Sequence, residues 1–285
     1  MKKAFFSGVL LWSLLTLCLG AAEKADELRV YKEVDGVKLK IHVFKPEGHA
    51  ASDQRPAIVF FFGGGWTGGS PAQFFPHCRY LASRGMVAMA ADYRVRSRHK
   101  TTPRECVMDG NSALRWLRRN AADWGVDPEK IAAGGGSAGG QVAAATALAQ
   151  GFEEAGEDQA VSSRPDLLVL FNPVYDNGPE GYGYERVKDY WREFSPLHNV
   201  DEKAPPTIVF LGTQDDLIPV ATAQTYQKRM EEAGVDAELH LYEGEKHGFF
   251  NAGKKRKIYE DTLVKMDRFL VKHGFLAAKK AASDD

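Results

Sequence analysis

Two kinds of hydrophobic pattern alternate along the chain. Between Val37 and Phe44 the apolar residues Val37, Leu39, Ile41 and Val43 fall at every second position, the period of a strand with one buried face. Leu28 to Val34 precedes it across Asp35-Gly36, a hairpin signal. Ala57 to Phe62 is instead apolar throughout and stops at Gly63-Gly64-Gly65, as expected of a strand covered on both faces. Short apolar runs recur at Val87 to Ala91, Lys130 to Ala133, Leu167 to Phe171 and Thr207 to Leu211, and Ala237 to Tyr242 alternates as an edge strand does. Helical spacing separates them, as in Cys106, Leu114 and Leu117 with Trp116. Strands alternating with helices predict an α/β fold with a mainly parallel central sheet and helices on both faces. Ala277 to Asp285 reads as a polar tail.

Composition narrows the class. The chain has 285 residues, 44% hydrophobic and 26% charged, enough to bury one large core, and residues 23–285 are expected to form a single domain. The net charge of −1, with acids and bases interspersed, gives no electrostatic reason to expect nucleic acid or an anionic membrane as partner. The first residues differ in kind. Lys2 and Lys3 precede an apolar run from Ala4 to Leu19, then Gly20, Ala21 and Ala22, the layout of a secretory signal peptide cleaved after Ala22. A secreted or periplasmic protein with no integral span after cleavage is the expectation. Cys18 would leave with the signal, so Cys78 and Cys106 remain, either as a disulfide or as two buried thiols.

Gly135-Gly136-Ser137-Ala138-Gly139 follows the strand at Lys130 to Ala133 and opens an alanine-rich helix over Ala138 to Gln150. A sharp strand-to-helix turn needs glycines for close backbone approach and lifts the serine hydroxyl clear of the sheet. The helix N-terminus would favour an oxyanion there. A phosphate loop would instead want a lysine after its last glycine, and none follows.

A serine hydroxyl needs a base and an acid that orients the base. Asp215 and Asp216 lie directly after the apolar run Thr207 to Leu211, and Asp215 is the preferred orienting acid. His247 sits in a loop after the last predicted strand and is the preferred base; His240 falls inside that strand and His273 in the last helix. Phe62-Gly63-Gly64-Gly65-Trp66 supplies consecutive glycine amides that, with the amide of Ala138, could hold an oxyanion. No H-E-x-x-H pattern or zinc-spaced cysteine pair is present, so no metal is expected, and serine chemistry requires no cofactor.

Together Phe62-Gly63-Gly64-Gly65-Trp66, Gly135-Gly136-Ser137-Ala138-Gly139-Gly140, Asp215-Asp216-Leu217-Ile218-Pro219, His247-Gly248-Phe249 and Asp92-Tyr93-Arg94 resemble the α/β-hydrolase serine esterases of the hormone-sensitive-lipase-like group and the bacterial acetyl-xylan and feruloyl esterases. The resemblance spans about Leu28 to Phe275. It implies Ser137, Asp215 and His247 as a triad, Gly64, Gly65 and Ala138 as oxyanion donors, and hydrolysis through an acyl-enzyme. That group commonly has histidine where Phe62 stands, a departure that bears on the rigidity of the glycine loop. Its lipase-like members carry an N-terminal helical cap, and the short stretch before Leu28 leads us to expect an open site instead.

Asp92, Arg94 and Asp109 read as a structural ion pair near the sheet. Tyr175 to Trp191 is rich in aromatics and glycine and follows a predicted strand, so it should overhang the active edge. Trp66 and Tyr175 are thus the expected stacking faces for a glycan or other small ester substrate, which makes a carbohydrate esterase the first expectation and a broad lipolytic carboxylesterase the alternative. A serine oligopeptidase of similar fold would be expected to bring an additional gating domain, for which this sequence gives no sign, and a silent binding module would be expected to have lost triad members, whereas Ser137, Asp215 and His247 are all present in order.

Overall fold

The computed structural model describes residues 24–279; the expected signal peptide at 1–22, with Cys18, lies outside them. In chain order the elements are β1 (Glu27–Val34), β2 (Val37–Phe44), β3 (Arg55–Phe61), α1 (Phe75–Ser83), β4 (Val87–Ala91), α2 (Arg96–His99), α3 (Pro103–Arg119), β5 (Val126–Gly136), α4 (Ala138–Leu148), β6 (Leu167–Phe171), α5 (Tyr184–Val187), α6 (Trp191–Phe194), β7 (Thr207–Gly212), α7 (Val220–Glu232), β8 (Ala237–Tyr242) and α8 (Arg256–Lys272). The strands form one eight-stranded sheet in the order β1-β2-β4-β3-β5-β6-β7-β8. β1, β2 and β4 pair antiparallel, and every pairing from β4 to β8 is parallel. The alternation of Ala237 to Tyr242 is explained by its place at the sheet edge.

The period of two along β3 sends its side chains to opposite faces. Ala57, Val59 and Phe61 enter a core built with α3, α4 and α7, while Ile58 and Phe60 enter a second core built with α1 and α8. At roughly 25 cal/mol per Å² of apolar surface, these two cores are the main stabilising contribution. α3 begins where the sequence marks it: Thr102 and Glu105 form a reciprocal capping box and Pro103 takes the first helical position.

β5 is longer than the apolar run Lys130 to Ala133 suggests. Asp127, Pro128 and Glu129 are polar and Gly134 to Gly136 lack side chains, so no hydrophobic signal marks either end. Pairing does, since Val126 lies opposite Arg55, and Gly134 and Gly135 lie opposite Phe60 and Phe61. Asp109 is buried and carries a bidentate Arg94 and the Lys32 ammonium, with Glu154 bridging both cations. Asp92 stands apart from this cluster and pairs with Arg98. Cys78 and Cys106 form no disulfide and are buried in different cores. Among the described residues no helix is long and apolar enough to cross a membrane.

Candidate active site

Because β3, β5, β6, β7 and β8 run parallel, their C-terminal ends share one edge of the sheet, and the loops leaving them meet there. Ser137 follows β5 directly and precedes α4. Its backbone is held at φ 55° and ψ −122°, a conformation that L-residues rarely adopt. Three backbone bonds hold it there: Ser137 N donates to the Phe171 carbonyl at 2.9 Å, and the Ser137 carbonyl accepts from Gln141 N and Val174 N, each at 3.1 Å. Gly139 is required because a Cβ at that position would overlap the carbonyl oxygens of Phe61 and Phe62.

The Ser137 hydroxyl lies 2.9 Å from His247 Nε2, and His247 Nδ1 lies 2.8 Å from Asp215 Oδ2. The other Asp215 oxygen accepts the Leu217 and Ile218 amides at 2.9 and 3.0 Å, which fixes the carboxylate plane. These bonds leave Asp215 acting as an acceptor, so the proton between it and the imidazole sits on Nδ1 and Nε2 is free to accept from the serine. Asp216, the competitor, is exposed. His240 stacks on Phe210 and contacts Glu238, and His273 contacts Asp236, both away from Ser137.

The glycine loop after β3 bends beside Ser137, and a Cβ on Gly63 would come within 3.2 Å of the serine Cβ. Gly63 N is already used, donating to Gln73 Oε1 at 2.7 Å. The amides of Gly64, Gly65 and Ala138 have no hydrogen-bond acceptor among the described residues, as donors kept for a ligand oxygen should. Phe62 occupies the place of the histidine common in the resembling group. Its ring stacks on Tyr93 at 4.1 Å, and the Tyr93 hydroxyl donates to the Phe62 carbonyl at 2.6 Å. Gln73 in turn donates to Asn251 at 3.0 Å. Aromatic stacking and an amide therefore hold the loop without an imidazole.

Two expectations are corrected. Tyr175 is wholly buried and stacks on Tyr226 at 4.6 Å, where burial pushes its phenol well above its ordinary pKa. Trp66 is 1% exposed, its indole N–H donating to Gln141 and its ring enclosed by Arg186, Tyr182 and Phe194. Neither ring is exposed as a stacking face. An aromatic in a loop satisfies its surface against the fold as readily as against a ligand, and nothing in sequence separates the two cases.

Asn172 carried no sequence signal and belongs to the site. It is buried, has φ 34°, and follows β6 as Ser137 follows β5. Its Oδ1 accepts the Gly248 amide at 3.0 Å, which turns its Nδ2 toward His247 Nε2 at 3.3 Å.

A family model described as BD-FAE matches residues 41–169, and one described as the dienelactone hydrolase family matches residues 180–283. Esterase LipC of Mycobacterium tuberculosis is 30% identical over 195 residues, covering 61% of this chain and 48% of that protein. A probable isoprenylcysteine alpha-carbonyl methylesterase of Oryza sativa is 29% identical over 217 residues, covering 68% and 51%. The chain spans about half the length of the curated relatives it matches. Thermogutta terrifontis esterase 2 phosphoramylated by tabun superposes with a TM-score of 0.86 at 49% identity, covering 89% of this chain and 96% of that one. The same esterase with butyrate bound gives 0.85 at 47% identity over 89% and 96%.

Proposed function

The chain belongs to the α/β-hydrolase esterase family, and from that premise we propose that it hydrolyses short-chain carboxylic esters through an acyl-enzyme on Ser137. The observation that carries this reading is the unbroken line from Ser137 Oγ through His247 to Asp215, 2.9 and 2.8 Å long. His247 Nε2 takes the hydroxyl proton as Oγ attacks the acyl carbonyl, and Asp215 stabilises the imidazolium that forms. The carbonyl oxygen becomes an oxyanion held by the Gly64, Gly65 and Ala138 amides at the positive end of α4. His247 then returns the proton to the departing alcohol, and a water activated by the same nitrogen releases the acid.

A short acyl group is favoured by the related esterase with propionate or butyrate bound. For the alcohol, an acetylated glycan keeps the support of the partly exposed Tyr182, Tyr184 and Trp191, having lost that of Trp66 and Tyr175. A broad carboxylesterase fits equally well. Export rests on the pattern at residues 1–22 and is tested by fractionating cells that express the full chain.

The deciding experiment treats the protein with paraoxon and maps the adduct by mass spectrometry, alongside rates on esters from acetyl to decanoyl and on acetylated xylan. Modification at Ser137 with loss of activity, and a rate maximum at short acyl chains, is the expected result. Adduct elsewhere, or rates that climb steadily to decanoyl, would overturn the nucleophile or the short-chain reading respectively.

A further inference from the structure

We propose that a cationic cavity behind the glycine loop is a subsite for a carboxylate carried by the ester substrate. The cavity, about 200 Å³, is bounded by Gly65 and Trp66 on one side and by Arg96, Lys100, Thr101 and Arg186 on the others. Its lining contains three cations and no acid.

Several features set it apart from the other basic surfaces. The groove near Arg55, Arg79 and Arg84 has each guanidinium already paired with an aspartate. The side chains of Arg96 and Lys100, by contrast, have neither hydrogen-bond nor ion-pair partners among the described residues. Arg186 is held in place by stacking on Trp66 and Tyr182 and by donating to the Gly65 carbonyl at 2.7 Å. The buried hydroxyl oxygen of Thr101 also lacks a partner. The helix α3 starts at the next residues, where the Glu105 carboxylate accepts from the Thr102 amide and hydroxyl, so the charge of the cavity comes from its three cationic side chains and not from the helix end. Two planar guanidinium groups and an ammonium around a small cavity suit a carboxylate, which can accept several charge-assisted bonds at once.

Position gives the cavity its link to chemistry. Arg96 N donates to the Trp66 carbonyl at 3.1 Å and Ser97 N to the Thr67 carbonyl at 2.9 Å, so α2 is stitched to the glycine loop itself. The carbonyl of Gly65 faces Arg186, while its amide is one of those assigned to the oxyanion. An anion bound there would be anchored to the loop that receives the reacting carbonyl, and its binding energy would help to orient the ester. This placement rests on the esterase reading above.

The test uses matched substrates that differ in charge. para-Nitrophenyl hemiglutarate against para-nitrophenyl valerate places the carboxylate on the acyl side. para-Acetoxybenzoate against para-acetoxybenzamide places it on the alcohol side. At low ionic strength one charged member should exceed its neutral partner in kcat/KM by about tenfold, chiefly through KM, and the advantage should shrink as salt rises. In an Arg96→Gln/Lys100→Gln variant that advantage should vanish while the neutral esters are cleaved as before. No preference in either pair, or equal loss on charged and neutral esters in the variant, would overturn the subsite. If no ester is cleaved at all, the esterase reading fails, and calorimetry with glutarate and para-hydroxybenzoate on the parent and the variant still decides the cavity: binding confined to the parent supports it, and no binding rejects it.

Discussion

Asn172 Nδ2 approaches His247 Nε2 at 3.3 Å, the same nitrogen that the Ser137 hydroxyl reaches at 2.9 Å. Two donors therefore converge on one lone pair. The amide cannot turn away without leaving the Gly248 N–H unpaired. The Asn172 amide therefore helps to hold the His247 ring in the orientation that faces Ser137.

Removing that donor should loosen the placement of the base. Asn172→Ala is expected to lower kcat several-fold with little change in KM, and Asn172→Asp, which keeps the acceptor for the Gly248 amide but loses the donor to Nε2, should also lower kcat with the fold retained. Steady-state rates on a soluble short-chain ester check both. Rates equal to the parent in both variants would reduce Asn172 to a backbone role.

Ser137→Ala and His247→Ala should each lower kcat by ~10⁴-fold or more with the fold retained, because the triad acts as a unit. His240→Ala should have a mild effect, since that ring packs on Phe210 beside Glu238, away from Ser137. Steady-state rates with circular dichroism on each variant decide the matter, and a reversed histidine ranking would reassign the base.

Asp215→Asn should cost far more than Asp216→Asn. Only Asp215 contacts His247 Nδ1, and its second oxygen also ties down the Leu217 and Ile218 amides. An amide at position 215 can present a donor to Nδ1 and impose the wrong tautomer, a loss of roughly 10⁴-fold in the best-studied triads. Equal, small effects at 215 and 216 would mean that neither carboxylate orients the ring.

His77 should make the protein sensitive to acid. It is fully buried among Phe74, Phe171, Phe250 and Tyr259, and neither ring nitrogen has a partner among the described residues. Burial lowers its pKa from 6.5 to about 3. Between those values the unfolded chain binds the extra proton and the folded one does not. The stability is therefore complete above the unfolded value and lost progressively as the pH falls through that window. The loss from this residue alone is about 2 kcal/mol by pH ~5. His77→Phe should flatten the fall in urea-unfolding free energy between about pH 6.5 and 4, and an unchanged slope would place acid sensitivity elsewhere.

Much of this was legible in the chain. Strand positions followed from apolar runs, and Ser137, Asp215 and His247 from their places directly after strands, because a parallel sheet gathers those ends at one edge. The ends of β5 were not, since glycines and polar residues join a strand through pairing partners distant in sequence. Asn172 escaped notice because a lone asparagine after a strand is ordinarily a turn residue. The roles expected of Trp66 and Tyr175 failed for a different reason: whether a ring packs inward or outward is settled by neighbours such as Gln141 and Tyr226, which lie 75 and 51 positions away.

The sheet that divides the hydrophobic interior in two also governs how the protein can be made. Cys78 lies in one core and Cys106 in the other, each a reduced thiol. With eight strands between the two faces, the fold draws no stability from an oxidising compartment. Synthesis in a reducing cytosol, without any oxidase or isomerase, should therefore yield chain of the same melting temperature as chain made in an oxidising compartment. Dithiothreitol should leave that temperature where it was.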